Sequence, residues 1–430
     1  MTATGTERKS RRQLADIMER AKKPITGSFT VQMLWNFDWL LLMLVLAISI
    51  FGIISIFAAT GLPLESQPES FLELVRAQSS EYPRLQILWL LAGLVLIAGI
   101  QLFDYQLLGR FSNALYWINI ALLVVVLFME RGRGNMAGWI RWGADATRTI
   151  QPAEFGKLAI IVALAKLFSI RTKPITRIEE LIPVLAYIGL PLILIGAQPD
   201  FGTAMVYVFI FAVMLFASGA SGKLLLGMVA VVVLMLVPIW FFMQNESSDF
   251  RTARIISFLN PGADRLGAGF QTSNAQIAVG SGGMFGKGLF SPGSIATLNY
   301  IPDDYTDFVF AIVCETFGFV GGAGLVVAYL LLMVRFVVMS GSVKEDPFGS
   351  YVIIGVMAMM LVHILENVGM VVGLLPVTGI PLPLVSYGGS NFLTNMIGIG
   401  IVMNISMRNK THSKASAKQV ASKKPDEVAL

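Results

Sequence analysis

The sequence predicts an all-α polytopic membrane protein. Hydrophobic residues make up 55% of the 430 residues and charged residues only 14%, and the mean hydropathy is +0.71. This composition excludes an ordinary soluble domain and is typical of a chain whose helices face lipid. The apolar residues also fall into long runs, which is the pattern of bilayer-spanning helices.

Ten of these runs approach the roughly 20 residues that a helix needs to cross the hydrocarbon core. In chain order, we predict spans near 38–61, 86–104, 110–129, 151–170, 181–197, 201–219, 223–243, 307–337, 350–375 and 385–407. The segment before the first span is polar, so we do not interpret it as a cleaved signal. The single cysteine, Cys314, excludes an internal disulfide, and we expect it to be a small core residue.

Both predicted tails, residues 1–37 and 408–430, are rich in lysine and arginine. Basic segments stay on the cytoplasmic side, and an even number of spans returns the chain to its starting side. We therefore predict that both termini are cytoplasmic. We also expect the tails to be disordered and to bind anionic headgroups weakly, which accounts for the net charge of +5 without nucleic acid.

Positive charges also cluster around the third predicted external connection. They are an exception, because membrane proteins usually concentrate lysine and arginine on cytoplasmic loops. These residues are Arg131, Arg133, Arg141, Arg148 and Lys157. They can contact headgroups by extending their side chains to the interface, or they can hold a phosphate or pyrophosphate at the outer face. The residues alone leave both interpretations open.

The predicted loop 244–306 between spans seven and eight is the longest external segment. Connections in helical bundles usually take about two to eight residues, so a loop of this length is expected to be functional. Asn260 and Pro261 predict a turn that presents Asp264. An aspartate in such a turn is more often a cap or Asx-turn residue than a catalytic group. The glycine run 280–288 lacks the spacing and the Ser or Thr of a phosphate loop, so we reject nucleotide binding.

Several motifs together resemble the SEDS (shape, elongation, division and sporulation) family of membrane glycosyltransferases. They occur in the family's order over most of the chain. The matching segments are Trp139–Gly143, Gln151–Lys157, Gln198–Thr203, Asn260–Phe270, Tyr305–Ala311, Asn367–Pro383 and Ser386–Ser390. Asp38-Trp39, Asp104-Tyr105 and the segment 277–288 favour the RodA-like elongation branch over the FtsW-like division branch.

This resemblance implies a bacterial cell-membrane enzyme that polymerises peptidoglycan from lipid II during cell elongation. The family transfers a growing glycan from undecaprenyl pyrophosphate to the 4-hydroxyl of the GlcNAc of lipid II, with inversion. By resemblance, Asp264 is the catalytic base on an extracytoplasmic active site. The predicted substrate- and pyrophosphate-binding residues are Lys157, Arg141, Arg254, Lys287, Glu154 and Trp139, and the predicted supporting residues are Asp200, Asp307, Ser386 and Ser390.

Several of these residues also have purely structural explanations. Glu154 and Lys157 are three apart on one helical face and can pair, so a substrate role and a structural ion pair both stay open. Asp200 can cap the sixth span, and Asp307 can favour a helix N-terminus. Three further ionisable residues inside or near spans are functional by default or are polar anchors between helices: Glu315, His363 and Glu366.

The chain departs from the family pattern at some positions. Arg265 stands where proline is usual, Gly138 replaces an arginine, Tyr305 replaces a histidine and His363 replaces a glutamine. The external stretch 62–85 has no counterpart in the pattern. These departures concern substrate contacts and not the class of protein.

The family implies partners as well as chemistry: a class B penicillin-binding protein (transpeptidase) and the other membrane proteins of the elongation complex. It fixes no cofactor and leaves a divalent cation, Mg²⁺ or Mn²⁺, open. Two other functions compete with the polymerase. A lipid II flippase or transporter should show midplane charges and inverted repeats, which the sequence does not display. A non-catalytic cell-wall scaffold would not need Asp264.

Overall fold

The computed structural model describes residues 33, 35–61, 81–129, 138–142, 148–198, 200–227, 230, 258, 268–298, 300–302, 304–343 and 345–422. The helices with defined bounds are, in chain order, α1 (Trp39–Thr60), α2 (Glu81–Leu102), α3 (Gln106–Arg110), α4 (Ser112–Phe128), α5 (Pro152–Ser169), α6 (Ile178–Ala197), α7 (Phe201–Ala217), α8 (Ala268–Ser281), α9 (Val309–Ser342), α10 (Pro347–Val371) and α11 (Gly389–Ser422). A short antiparallel hairpin of β1 (Ile140–Trp142) and β2 (Arg148–Ile150) precedes α5. The chain is thus the all-α polytopic membrane protein that its composition predicts.

Helices α5 and α10 form the centre of the bundle. They pack against each other, and α10 also packs on α7 and α9, while α5 also packs on α4 and α11. Five described helices, α1, α2, α6, α9 and α10, are long and apolar enough to cross a membrane. Helix α5 carries charged residues because it is enclosed by protein, where polar groups can find partners that lipid cannot supply.

Each predicted span coincides with a described helix except 223–243, of which only the residues to 227 and residue 230 are described. The count of ten spans therefore stays a prediction. Within the predicted loop 244–306, the structure contains a helix that the sequence reasoning did not anticipate, α8, which packs on α9.

The prediction of a disordered tail from residue 408 is wrong for its first part, because α11 continues to Ser422. This stretch has no proline or glycine and is rich in alanine and lysine, which favour helix. Arg408 is also buried, and its guanidinium donates to the main-chain oxygen of Phe103 at 2.9 Å and to Asn404 Oδ1 at 3.1 Å. The start of the tail is thus bonded into the bundle.

Residues near the beginning of α1 meet the last third of α11 at one end of the bundle. Asn36 Nδ2 donates to Thr411 Oγ1 at 2.9 Å. Asp38 caps α1 by accepting from Leu41 N at 3.1 Å. We call this end, which holds Asp38 and Arg408, the tail end. The opposite end, where α2, α5 and α11 begin, is called the loop end.

A buried carboxylate connects three helices at the tail end. Asp38 accepts hydrogen bonds from both Nε and Nη2 of Arg335, and Lys410 Nζ lies 3.4 Å from the same carboxylate. The pair with Arg335 ties α1 to α9, and the contact with Lys410 ties α1 to α11.

We expect Arg335→Ala to lower the free energy of unfolding by about 3 kcal/mol, since it leaves the Asp38 carboxylate buried with weaker compensation. Lys410→Ala should change it by less than about 1 kcal/mol, because that side chain is 36% accessible to solvent and its contact is longer. Melting temperatures of the two purified variants in detergent give the ranking. Equal losses, or a larger loss for Lys410→Ala, would contradict this account of the tail end.

Candidate functional site

The motif segments that are separated in sequence converge at the loop end of the bundle. Gln151 lies directly before α5 and contacts α11 through its main chain. Its N donates to Ser390 Oγ at 3.3 Å. Its side chain reaches α7, where Gln151 Nε2 donates to Asp200 Oδ2 at 2.9 Å. One residue therefore joins the beginnings of three helices.

Asp200 caps α7, as the sequence predicts. Its carboxylate accepts from Thr203 N at 3.0 Å and from Thr203 Oγ1 at 2.8 Å. A side-chain oxygen in this position satisfies amides that the first turn of a helix leaves without partners. Asp200 also accepts from Gln151, so its carboxylate links the beginnings of α5 and α7.

A second polar junction joins α9, α10 and the proline-rich turn, residues 376–386, that precedes α11. Asn367 Nδ2 donates to the main-chain oxygens of Asp307 at 2.7 Å and Ile380 at 2.8 Å. Asp307 lies two residues before Val309, where α9 begins. Ser386 Oγ accepts from Leu382 N at 2.8 Å and so holds the turn closed. Ser386 and Asp307 thus shape the backbone of the loop end.

A buried polar cluster lies between α5, α10 and α11. The Lys157 side chain is fully buried, and its Nζ donates to Glu154 Oε1 at 2.6 Å. The second carboxylate oxygen of Glu154 accepts from Asn391 Nδ2 at 2.9 Å. The predicted pairing of Glu154 with Lys157 is confirmed, and we call Glu154, Lys157, His363 and Asn391 the lysine cluster.

The tautomer of His363 follows from its two contacts. Its Nδ1 lies 2.6 Å from the main-chain oxygen of Met359, which can only accept a hydrogen bond. Its Nε2 lies 2.9 Å from Lys157 Nζ, which can only donate. The ring is therefore neutral with its proton on Nδ1, and it accepts from the ammonium. Glu366, one turn along α10, is also buried and lies within electrostatic range of Lys157.

Lys287 belongs to a different carboxylate. Its Nζ donates to Glu315 Oε1 at 2.6 Å. The buried Glu315 carboxylate also accepts from the main-chain amides of Ile295 at 2.9 Å and Ala296 at 3.3 Å. We call this arrangement the Glu315 clasp, because it attaches the segment 287–296 to α9.

The clasp lies beside a break in α9. Gly318 has φ 68° and ψ −165° inside the helix, and the glycine run fills the gap. Lys287 N donates to Glu315 O at 2.9 Å, and Phe319 N donates to Gly283 O at 2.8 Å. The glycine run is thus bonded to both sides of the break, as a donor at Lys287 and as an acceptor at Gly283.

We expect Gly318→Ala to destabilise the protein strongly. A Cβ at this position would lie 2.3 Å from Gly286 N, and the backbone angles alone add strain of about 1–3 kcal/mol. Gly324→Ala is the matched control, since it lies in the same helix with no atom within 4 Å of the added Cβ. The control should be neutral or slightly stabilising. Detergent melting curves compare them, and equal behaviour would contradict the importance of the break.

Some predicted site residues lie outside the described part of the chain. Asp264 and Arg254 are among them. For Arg141, only the backbone is described, on β1 opposite Thr149. Trp139 is half-buried directly before that strand. The structure thus gives geometry for Glu154, Lys157 and Lys287, and it places the last of these in the Glu315 clasp and not in the lysine cluster.

Sequence reasoning singled out Glu315, His363 and Glu366 without their partners, and it missed Asn391. A polar asparagine two residues into α11, directly after the Ser386–Ser390 motif, was the available signal. No group of three or more His, Cys, Asp or Glu residues that could hold a metal ion occurs within the described residues.

Comparison with known proteins identifies relatives along nearly the whole chain. The family model FTSW_RODA_SPOVE, described as cell cycle protein, matches residues 38–411. Stage V sporulation protein E of Bacillus subtilis is 34% identical over 86% of this chain and 96% of its own length. The peptidoglycan glycosyltransferase MrdB of Escherichia coli is 35% identical over 75% of this chain and 85% of its own length.

Solved structures show the same fold. A chain from a study of polymerization and crosslinking by a peptidoglycan synthase complex superposes with a TM-score of 0.69 at 27% identity, over 87% of this chain and 98% of that chain. The rod shape determining protein RodA of Thermus thermophilus superposes with a TM-score of 0.62 at 26% identity, over 87% of this chain and 97% of that chain. With its motifs joined at the loop end as described, the chain belongs to the FtsW/RodA/SpoVE family, which is the SEDS family of membrane proteins.

Proposed function

We propose that this protein is a peptidoglycan glycosyltransferase that polymerises lipid II. The observation that carries the proposal is the convergence of three described motifs, Gln151–Lys157, Gln198–Thr203 and Ser386–Ser390, at the loop end beside the lysine cluster. Several relatives of this chain are named peptidoglycan glycosyltransferases, including RodA of Treponema pallidum, which is 31% identical over 87% of this chain and 98% of its own length. The RodA-like motifs favour a role in cell elongation and shape, in preference to division.

The proposed reaction joins two lipid-linked sugars. The 4-hydroxyl oxygen of the GlcNAc of lipid II attacks the anomeric carbon of the growing glycan, and the bond from that carbon to undecaprenyl pyrophosphate breaks. Asp264 takes the proton of the hydroxyl, since a carboxylate within hydrogen-bond reach can act as the general base. Attack opposite the leaving group inverts the anomeric carbon, and undecaprenyl pyrophosphate departs with the bonding electrons.

Cations near the leaving group stabilise the charge that develops on the pyrophosphate. We propose Arg141 and Arg254 as contacts from the hairpin and the external loop. Lys157 and Lys287 are each paired with a carboxylate, so their charges are partly balanced before substrate binds. We propose that Lys157 and Glu154 act as one polarised unit in the wall of the pyrophosphate site, with Trp139 beside the hairpin.

The proposed orientation places the tail end in the cytoplasm and the loop end outside. It rests on the basic tails and on the contact of Asn36 with Thr411, which places the beginning of α1 and the last third of α11 at the same end. Lipid II presents its pyrophosphate at headgroup depth with its lipid in the bilayer. A cleft at the loop end would therefore meet the substrate without any cytosolic energy source.

We propose a class B penicillin-binding protein as the partner. This proposal is supported by the similarity of our chain to one solved in a study of a peptidoglycan synthase complex. We assign no cofactor to the protein and leave a divalent cation, Mg²⁺ or Mn²⁺, open. Parallel assays with EDTA, Mg²⁺ and Mn²⁺ would test whether a divalent cation assists the pyrophosphate.

The experiment that tests the proposed function uses the purified full-length protein, lipid II and gel analysis of the glycan product, with and without the penicillin-binding protein. Polymer that grows with time is the expected result. Movement of labelled lipid II across vesicles without polymer would instead favour a flippase. Neither polymer nor transport, with the penicillin-binding protein still bound, would favour a scaffold.

A further inference from the structure

Three tyrosines from distant parts of the chain meet at the loop end. Tyr82 lies in the first turn of α2, Tyr305 before α9 and Tyr387 before α11. The rings of Tyr82 and Tyr305 are stacked with centroids 4.3 Å apart, and Tyr387 meets them edge-on at 5.1 and 5.8 Å. We call these residues the tyrosine cluster.

The cluster is fixed to the backbone of the candidate site. Tyr387 N donates to Tyr305 O at 3.0 Å. One face of α2 also contacts the segment that leads into α11. Gln86 Nε2 donates to Ser386 O at 3.3 Å. Trp89 packs against Gly389 so closely that a Cβ on this glycine would lie 2.7 Å from the indole. The backbones of Tyr305 and Tyr387 are thus bonded to each other beside the turn that leads into α11.

This turn leads directly to the lysine cluster. Three residues after Tyr387, Ser390 accepts from the main chain of Gln151, and Asn391 donates to Glu154. The tyrosine cluster therefore lies next to the lysine cluster, which we propose as part of the wall of the pyrophosphate site. A lipid-linked sugar places its first pyranose ring directly beyond its pyrophosphate.

The rings have the properties of a carbohydrate-binding surface. A pyranose has an apolar face of C–H bonds edged by hydroxyl groups, which matches a flat ring with a polar tip. Tyr82 remains 37% exposed, and the other two rings are half-buried. Burial, with additional contributions from Tyr82 and Glu81, raises the pKa of Tyr387 above its ordinary value, so its hydroxyl keeps the proton that it can donate.

We propose that Tyr82, Tyr305 and Tyr387 form a sugar-stacking subsite that receives an amino-sugar ring of the lipid-linked glycan. The subsite rests on the proposed function, because it supposes a glycan substrate. Tyr305 supplies one of the two stacked rings.

Two measurements test the subsite on the purified protein in detergent, where no bilayer is present. The first is saturation-transfer NMR with chitotetraose, a soluble β-1,4-linked GlcNAc tetramer. The second is the KM for lipid II in the polymerisation assay. We expect Tyr82→Ala to remove the tetramer signal and to raise KM about tenfold, with kcat changed less than about twofold. Tyr82→Phe, which retains the ring, should recover both.

Phe128→Ala is the matched control, because Phe128 is an 85% exposed aromatic residue at the end of α4 on the same end of the bundle. It should leave both measurements unchanged. An unchanged KM and a persistent tetramer signal in Tyr82→Ala would overturn the subsite, as would an equal rise of KM in Phe128→Ala, which would indicate a general aromatic belt. A wild-type protein that binds the tetramer without polymerising lipid II would instead reject the proposed function alone.

Discussion

Asp264→Ala is expected to abolish the polymerisation of lipid II. The acceptor hydroxyl must lose its proton as it attacks, and a general base accelerates such a step by about 10²–10⁴-fold. No other carboxylate of the predicted loop 244–306 carries the Asn-Pro-x-x-Asp pattern. The measurement is the initial rate of glycan formation by the purified variant, with size-exclusion profiles to show that it remains folded.

Two further variants sharpen this test. Asp264→Asn preserves the size of the side chain but cannot accept the proton, so it should be as inactive as the alanine variant. Asp249→Ala removes another acid of the same predicted loop and should retain the wild-type rate. A rate near that of the wild type for Asp264→Asn would reject Asp264 as the base.

Lys157→Met is expected to have the second-largest effect, through both stability and activity. The substitution leaves the Glu154 carboxylate buried with a hydrogen bond from Asn391 in place of its ion pair. Breaking a buried ion pair by removing one partner destabilises a protein by about 3–5 kcal/mol. Melting temperature and polymerisation rate should therefore both fall.

The double variant Glu154→Gln with Lys157→Met separates the two roles of the lysine. It removes both charges, so we expect it to recover much of the lost thermal stability. If the ammonium acts on the pyrophosphate, the polymerisation rate stays low, because a neutral pair supplies no positive charge to the transition state. A double variant that is both stable and active would show that the pair is only structural.

The sequence predicted much of the fold, because span position depends on local composition. Helix α5 illustrates both the success and its limit. Its range matches the predicted span 151–170 closely, and its Glu154–Lys157 pair follows from helical spacing alone. Its enclosure by other helices could not be deduced from that spacing, since it depends on neighbours from elsewhere in the chain.

The errors also have local causes. The tail from residue 408 was predicted to be disordered because it is polar and basic, yet polarity does not prevent helix formation by alanine and lysine. The break at Gly318 was not anticipated, since glycine in an apolar run is common in membrane helices. The need for glycine at position 318 becomes evident only when the segment 283–288 is packed against α9.

By itself, the sequence determined the membrane class, the positions of most spans and the order of motifs that identifies the family, because each is a property of neighbouring residues. The tertiary structure alone decided which polar groups meet. Lys157 contacts His363 across 206 positions, and Glu154 contacts Asn391 across 237. Inside a membrane protein, a buried charge must find a partner wherever the helices bring one, and that choice is made by packing and not by sequence proximity.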